Sequence, residues 1–391
     1  MKTRSYFFYL SALFISAVLA LLIYRPAAAL SPSVNHGDTN EAAMRLVRFC
    51  MDPRTGFDEK AAAVLINHVL TPKKAKECAL SELMTCPGAY YEFDTKIAFP
   101  RFMNYSYTSL VPSVMTRPSS LRYSLWRGPR GESQSLPAAW KKVPSNAPPV
   151  ILHGLQHDSN TPDLTTGVYY EYDLKRTLIL LNHEGRQVLI SISKQTNQSN
   201  VGEQGFILGH DNDWNYYYSG RPGSARTGLG WVKSYIYDYF SVNIYVESGT
   251  SPAMVRTGGF QWIKAGWSGI NFVKPSHIIQ GMKRFAQNTR MILESPRLPA
   301  SNQMASVFHW LTNLPDGDLS HKYMTLQRAQ RVLAAQTGKI NKTEAERPIV
   351  LKKTSKEQMI EELMLEYLKL VLGKPTSVEK HFSFIPPGPL S

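Results

Sequence analysis

The chain has 391 residues, 43% of them hydrophobic and 19% charged, which excludes an intrinsically disordered protein and allows a buried core. Its net charge of +14 indicates an anionic partner, but the basic residues form no compact run, so nucleic acid is not the expected one. The three cysteines, Cys50, Cys78 and Cys86, are too few for a disulfide framework and leave open one disulfide or three buried thiols.

Residues 1–29 have the features of an export or membrane-anchoring segment. Lys2 and Arg4 precede an uninterrupted apolar run, and Ala27 and Ala29 fit the small-x-small pattern of a signal-peptidase site. The run is longer than a usual signal-peptide core and long enough to span a bilayer, so both a cleaved signal peptide and a retained N-terminal anchor are open. The charge bias predicts a body exported across the cytoplasmic membrane, periplasmic or otherwise extracytoplasmic.

Residues 30–87 are predicted to form a small helical region. Asn40 and Asp58 are residue types that cap helix N-termini, and each of them precedes a run of apolar residues. The second run ends at Pro72, which cannot continue a helix.

Residues 88–149 are predicted to be a basic connecting region rich in proline and serine. Basic and aromatic side chains are interleaved in it and could contact an anionic surface, although a solvated connector is the favoured interpretation. The residues assigned to this contact are Arg122, Arg127, Arg130, Lys141 and Lys142.

Residues 150–270 carry the clearest β pattern. Side chains alternate between apolar and polar over residues 168–174, and a glycine-containing turn at residues 182–185 lies between two strands of a hairpin. Residues 231–247 have large side chains on both faces, which is typical of a strand covered on both sides or of a curved sheet. We therefore predict an α+β fold, with a central antiparallel sheet flanked by N-terminal and C-terminal helices.

Residues 271–375 are predicted to be a C-terminal helical region, followed by a Pro-rich tail at residues 376–391. Thr354 and Glu357 form a capping box ahead of the last helix. The apolar residues of segment 354–372 lie on more than one stripe, which indicates packing inside the protein or against a protein partner.

Four residues are candidate metal ligands: His153, His157, His210 and Asp211. His153 and His157 would share one face of a helix or strand, and the loop that carries the other two could converge on them to bind a metal such as zinc. However, Gly154 replaces the glutamate of the HExxH motif, and Asp-rich and Gly-rich loops are common for reasons of turn geometry. We therefore predict no cofactor, with a divalent metal as the alternative.

Aromatic segments could line a site for a glycan or a lipid, because aromatic rings stack on sugars and line apolar pockets. Ordinary packing of the sheet is the favoured interpretation of the same residues. The residues assigned to such a site are Trp214, Tyr217, Trp231, Tyr237, Trp262 and Trp267.

The sequence contains no GxSxG, Walker A, GxGxxG or SxxK motif, and no catalytic residue is assigned. We predict a non-catalytic envelope protein that binds a hydrophobic or anionic ligand, or supports a membrane-associated assembly. A membrane or another anionic envelope component is the expected partner. The alternatives are a metal-dependent hydrolase that uses His153, His157 and His210, and a partner-binding protein that docks through residues 354–372.

Overall fold

The computed structural model of the protein describes residues 37–226, 230–349, 351 and 354–378, and the side chains of residues 224–231 are outside this description. The predicted export segment, residues 1–29, and most of the predicted tail, from residue 379 onward, therefore lie outside the described residues.

A large antiparallel sheet forms the centre of the fold. Its strands are β1 (Glu77–Leu83), β2 (Cys86–Thr95), β3 (Leu121–Arg127), β4 (Val150–Asn160), β6 (Glu171–His183), β7 (Arg186–Gln195), β12 (Ser234–Thr250), β13 (Ala253–Trp267) and β14 (Ile270–Asn271). In the described part of the chain their order is β1-β2-β13-β12-β7-β6-β4-β3, with β14 paired to β13. The order does not return to β1, so the sheet is open rather than a barrel.

Two smaller sheets accompany the large one. The first has three strands, β5 (Val168–Tyr169), β8 (Glu203–Ile207) and β9 (Tyr216–Pro222). The second is a hairpin of β10 (Ser224–Arg226) and β11 (Gly230–Val232).

Helices flank the large sheet. The described residues form α1 (Gly37–Met51), α2 (Glu59–Leu70), α3 (Phe99–Ser106), α4 (Pro275–Leu293), α5 (Ser301–Thr312), α6 (Asp316–Gln336), α7 (Lys342–Ala345) and α8 (Lys356–Leu372). Among these helices, none combines the length and apolarity needed to cross a bilayer.

The central strands are covered on both faces because they carry large side chains on both sides. Phe240, Val242 and Ile244 of β12 pack with α1 and α2, whereas Tyr245 of the same strand packs in the cluster formed with α3, α4 and α8. This arrangement confirms the predicted α+β fold with its central antiparallel sheet flanked by helices.

Local signals predicted several elements that the structure contains. Asp58 caps α2 by accepting a hydrogen bond from the Ala61 backbone N–H at 2.9 Å. The β6–β7 hairpin turns at Glu184 and Gly185, which have φ angles of 51° and 81°. Such left-handed pairs are typical of the two-residue turns that match the twist of the flanking strands.

The structure differs from the sequence analysis over residues 77–127. Strands β1 and β2 form a hairpin where a helical region and a connector are predicted, and β3 lies inside the predicted connector. Strand β2 pairs with β13, for example Tyr90 with Phe260, so these residues are part of the main sheet. A pairing across about 170 residues of sequence leaves no local pattern, which is the physical reason for the difference.

The C-terminal helix α8 packs inside the protein, against β3 and the helices α5 and α6. Met359, Leu363, Met364 and Leu368 are all buried in the same hydrophobic cluster. This burial accounts for the apolar stripes that suggested docking of residues 354–372 on a partner.

Candidate functional site

The two candidate metal-ligating histidines of β4 each bond to the residue directly opposite on β6. His153 lies across from Thr177 and its Nδ1 is 2.9 Å from the Thr177 Oγ1. His157 lies across from Asp173 and its Nδ1 is 2.8 Å from the Asp173 Oδ1. Cross-strand neighbours are the nearest side chains on a sheet face, so these contacts follow from the strand register.

The other predicted metal ligands lie in the turn before β9. Asp211 accepts a hydrogen bond from the Arg284 Nε at 2.7 Å and another from the Tyr216 hydroxyl at 3.2 Å. Within the described residues there is no group of three or more His, Cys, Asp or Glu side chains that could hold a metal ion. The structure thus pairs His153 with Thr177, His157 with Asp173 and Asp211 with Arg284, and it leaves the His210 side chain exposed.

Three of the predicted aromatic ligand-binding residues are buried in the protein. Trp214 donates from its Nε1 to the Asn288 Oδ1 at 2.5 Å. Trp262 stacks on Phe240 with 5.2 Å between ring centroids, and Tyr217 is 5% exposed. Their packing leaves little surface on which a ligand could stack.

Two other aromatic candidates lie at one end of the large sheet. Trp267 stacks on Phe272, and the Tyr237 hydroxyl accepts a hydrogen bond from the Gly269 N–H at 2.7 Å. The side chain of the sixth candidate, Trp231, lies outside the described residues.

Of the five residues predicted to contact an anionic surface, Arg122 is largely covered, with 11% of its side chain exposed, and the other four are exposed. Arg122 lies between the sheet and α8, where its Nε is 2.8 Å from the Glu362 Oε1 and its guanidinium carbon is 3.9 Å from the centroid of the Tyr218 ring. An arginine neutralised in this way cannot face an external anion. The exposed members are Arg127, Arg130, Lys141 and Lys142.

The three cysteines are free thiols in the structure. Burial raises the pKa of Cys50 and Cys78 to about 11 and that of Cys86 to about 12. Few thiolates are present at neutral pH under these conditions, so the three side chains are poor nucleophiles.

A cluster of polar side chains lies on the sheet face opposite α1 and α2. Strand alternation puts Gln156 and Asp158 of β4 on the same face, and the Gln156 Nε2 donates to the Asp158 Oδ1 at 2.6 Å. Arg176 of β6 bonds to the Gln156 Oε1 and, through its Nη2 at 3.0 Å, to the Ser191 Oγ of β7. The register of three adjacent strands thus assembles a buried polar row across the sheet.

Arg117 joins this row from the segment after α3. Its Nη2 donates to the Tyr107 hydroxyl at 2.8 Å, and its guanidinium carbon is 5.2 Å from the centroid of the Tyr107 ring. The Arg176 guanidinium carbon is 5.7 Å from the centroid of the same ring. We name this cluster the arginine–tyrosine site, and its members are Arg117, Arg176, Asp158, Tyr107, Tyr172 and Tyr239.

The two arginines of the site have neutral hydrogen-bond partners. In the described structure their side-chain partners are a tyrosine hydroxyl, an amide oxygen and a serine hydroxyl, and neither guanidinium is in an ion pair. The carboxylate that acts on Arg117 and on Tyr239 is that of Asp158. Two cations therefore share one carboxylate in this cluster.

A second carboxyl group nearby does not restore the balance. Glu361 of α8 is buried and accepts a hydrogen bond from the Ser124 N–H at 3.0 Å. Burial raises the pKa of Glu361 well above its ordinary value, and the charge of Asp158 raises it further. This shift favours the uncharged form of Glu361, which makes it a poorer counterion for the arginines than an exposed glutamate would be.

The arginine–tyrosine site has a buried floor and a partly exposed rim. Arg176 and Asp158 are buried, whereas Arg117, Tyr172 and Tyr239 keep part of their surface exposed. Burial, reinforced by Asp158, raises the pKa of Tyr172 and of Tyr239. Both phenols therefore stay protonated. The Tyr239 hydroxyl donates to the Ser241 Oγ at 3.0 Å, and the Tyr172 hydroxyl can donate to a ligand at the rim.

A small cavity of about 10 Å³ lies against Arg117. It is lined by Ser106 and Thr116, whose side-chain oxygens are buried and have no hydrogen-bond partner among the described residues. Buried hydroxyls without a partner are rare, and a cavity of this size holds about one water-sized occupant. The two hydroxyls and the guanidinium together offer hydrogen-bond donors to such an occupant.

Sequence reasoning missed this site, although one signal for it was available. Leu174 and Leu178 of β6 are buried on the same face as Arg176, which lies between them at the period-two position. A charged residue on the apolar face of a strand is costly to bury, so it needs a counterion or hydrogen-bond acceptors inside the protein or from a ligand. The position of Arg117 depends on tertiary packing and has no comparable local signal.

The chain was compared with models of known protein families and with curated proteins. No family model matches it, and no curated protein does. The assignment of a function must therefore be argued from the geometry of the arginine–tyrosine site.

Proposed function

We propose that this protein is a non-catalytic envelope protein, exported or membrane-anchored, that binds a small anionic ligand in the arginine–tyrosine site. The observation that carries the proposal is the excess of positive charge at Arg117 and Arg176, two guanidinium groups close to one tyrosine ring that have the Asp158 carboxylate between them and no ion pair of their own. A buried charge that is incompletely compensated is costly, so an anionic group that bonds to both arginines would stabilise the site.

The ligand group that fits best is a carboxylate or a phosphate. Arginine presents a planar fork of donors that matches the oxygens of these groups, and its hydrogen bonds to them are stronger than those to neutral acceptors. The protonated hydroxyl of Tyr172 adds a donor at the rim. The rings of Tyr172 and Tyr239, 6.2 Å apart, offer an apolar surface for the remainder of a small molecule.

The shape and polarity of one surface groove and one small cavity favour an anionic ligand over a hydrophobic one. A groove of about 770 Å³ is lined by Lys283, Arg290 and Glu294 among others, and it is open to solvent. The cavity at Arg117 is far too small for a lipid chain. Neither depression would remove a large apolar ligand from water.

Native mass spectrometry of the protein recovered from its own host tests the proposal. We expect the wild type to carry an anionic adduct and the variant Arg176→Gln to lose it. The control Arg130→Gln removes an exposed arginine and should keep the adduct. A wild type without any adduct, or an Arg176→Gln variant that is folded and keeps it, would contradict the proposal.

A further inference from the structure

One end of the large sheet exposes a group of apolar side chains. Ile270, the first residue of β14, is 56% exposed, and Phe272, directly after β14, is 41% exposed. The ring of Trp267 stacks on Phe272, with 3.8 Å between centroids and an interplanar angle of 17°. We name Trp267, Ile270 and Phe272 the apolar tip.

The backbone holds the apolar tip in a defined geometry. Ser268 and Gly269 adopt φ angles of 51° and 77°, which turn the chain tightly. The Phe272 N–H donates to the Ala265 carbonyl oxygen at 2.9 Å. A Cβ on Gly266 would lie 2.0 Å from the Ile270 carbonyl oxygen, so glycine is required there. The exposed side chains thus project from an ordered turn.

The neighbouring turn adds to the same end of the sheet. Met84, between β1 and β2, is 45% exposed. The Lys264 Nζ of β13 donates to the Thr85 Oγ1 at 3.2 Å, which places the two turns side by side. Apolar residues from two separate hairpins are therefore gathered on one surface.

Two exposed lysines neighbour the apolar tip, one through the pairing of β12 with β13 and one along the chain. Lys233 immediately precedes Ser234, which pairs with Trp267, and Lys274 directly precedes α4. Both lysines are exposed. Asp238, opposite Lys264 on β12, is paired with Lys194, and neither Lys233 nor Lys274 takes part in a salt bridge among the described residues.

We propose that the apolar tip docks on an anionic lipid surface. Tryptophan prefers the interface of a bilayer, and exposed Ile and Phe side chains gain free energy by leaving water for the acyl region. Lysines at the same depth attract anionic headgroups. The apolar tip shares no residue with the arginine–tyrosine site, and the proposal does not depend on a ligand binding at that site.

Site-specific fluorescence in the full chain tests the docking. An environment-sensitive dye is attached to the variant Ile270→Cys and to the control variant Leu164→Cys. Leu164 lies in another turn and, at 53%, is about as exposed as Ile270. The native thiols react slowly because burial raises their pKa. Each labelled protein is mixed with vesicles of phosphatidylcholine alone or with vesicles that also contain phosphatidylglycerol, which is anionic.

We expect the label at position 270, and not that at position 164, to shift to shorter wavelength and to be quenched by spin-labelled acyl chains in the anionic vesicles. The double variant Lys233→Gln with Lys274→Gln should weaken this response about tenfold. The matched variant Lys339→Gln with Lys342→Gln should leave it unchanged. An absent response at position 270, an equal response at both positions, or an unchanged response in the first double variant would overturn the proposal.

Discussion

At the scale of single residues, Arg122 and Glu361 show two ways in which an ionisable group away from water is accommodated, by pairing and by neutralisation. Arg122 illustrates the first case, since its contact with Glu362 removes it from the basic surface to which sequence reasoning assigned it. Composition and spacing identify Arg122 as a cation but cannot show that a helix about 240 residues later supplies its counterion. The exposed Arg127 and Arg130 carry the same sequence signal and lie at the surface, so burial alone separates them.

Glu361 illustrates the second case and leads to a prediction about pH. Because its pKa is raised in the folded protein, the folded state binds one proton more than the unfolded state between the ordinary pKa and the raised one. Stability contributed by this group is therefore lost as pH rises through that window, by about 1.4 kcal/mol per pH unit.

The variant Glu361→Gln should be more stable than the wild type at neutral pH and should lose this dependence. The amide oxygen can still accept the Ser124 N–H, so the packing is preserved. Urea unfolding at a series of pH values provides the measurement, with Glu346→Gln at an exposed residue after α7 as the control. A Glu361→Gln variant with the wild-type pH profile would show that Glu361 is ionised in the folded protein.

At the scale of elements, sequence patterns correctly predicted those helices and strands whose ends are fixed by nearby residues. The hairpin of β6 and β7 and the cap of α2 could be predicted, because a turn or a capping residue lies within a few positions of the element that it defines. The β1–β2 hairpin joins the sheet through β13, which is distant in sequence, and no local signal records that pairing. The arginine–tyrosine site was missed for the same reason, because it combines three strands with the segment after α3.

The pairing of β2 with β13 predicts a specific cost for one substitution. A Cβ on Gly88 of β2 would lie 2.3 Å from the Trp262 Nε1 of β13, and Trp262 is fully buried. Gly88→Ala should therefore lower the free energy of unfolding by about 1–3 kcal/mol. In contrast, Gly281→Ala places a methyl group in open space on α4 and should raise it by about 0.5–1 kcal/mol.

Denaturant titrations of both glycine variants check this contrast. Equal effects of Gly88→Ala and Gly281→Ala would mean that Trp262 does not cover Gly88, and the placement of β2 beside β13 would be wrong. A loss confined to Gly88→Ala supports the long-range pairing that the sequence patterns did not reveal.

At the scale of the whole molecule, the proposed function requires the body of the protein to reach the far side of the cytoplasmic membrane. Lys2, Arg4 and the apolar run after them are the features that predict this route. Fractionation of host cells that produce a C-terminally tagged full-length chain should find the tag in the membrane or periplasmic fraction. Recovery of the intact chain in the cytosolic fraction would exclude the predicted location.

The central claim, that Arg117 and Arg176 bind an anionic group, is tested most directly by a crystal structure of the protein recovered from its own host. The account predicts density for a carboxylate or phosphate group within hydrogen-bonding distance of both guanidinium groups. Density for water alone at this place, with each arginine paired to a carboxylate of the chain itself, would contradict the claim.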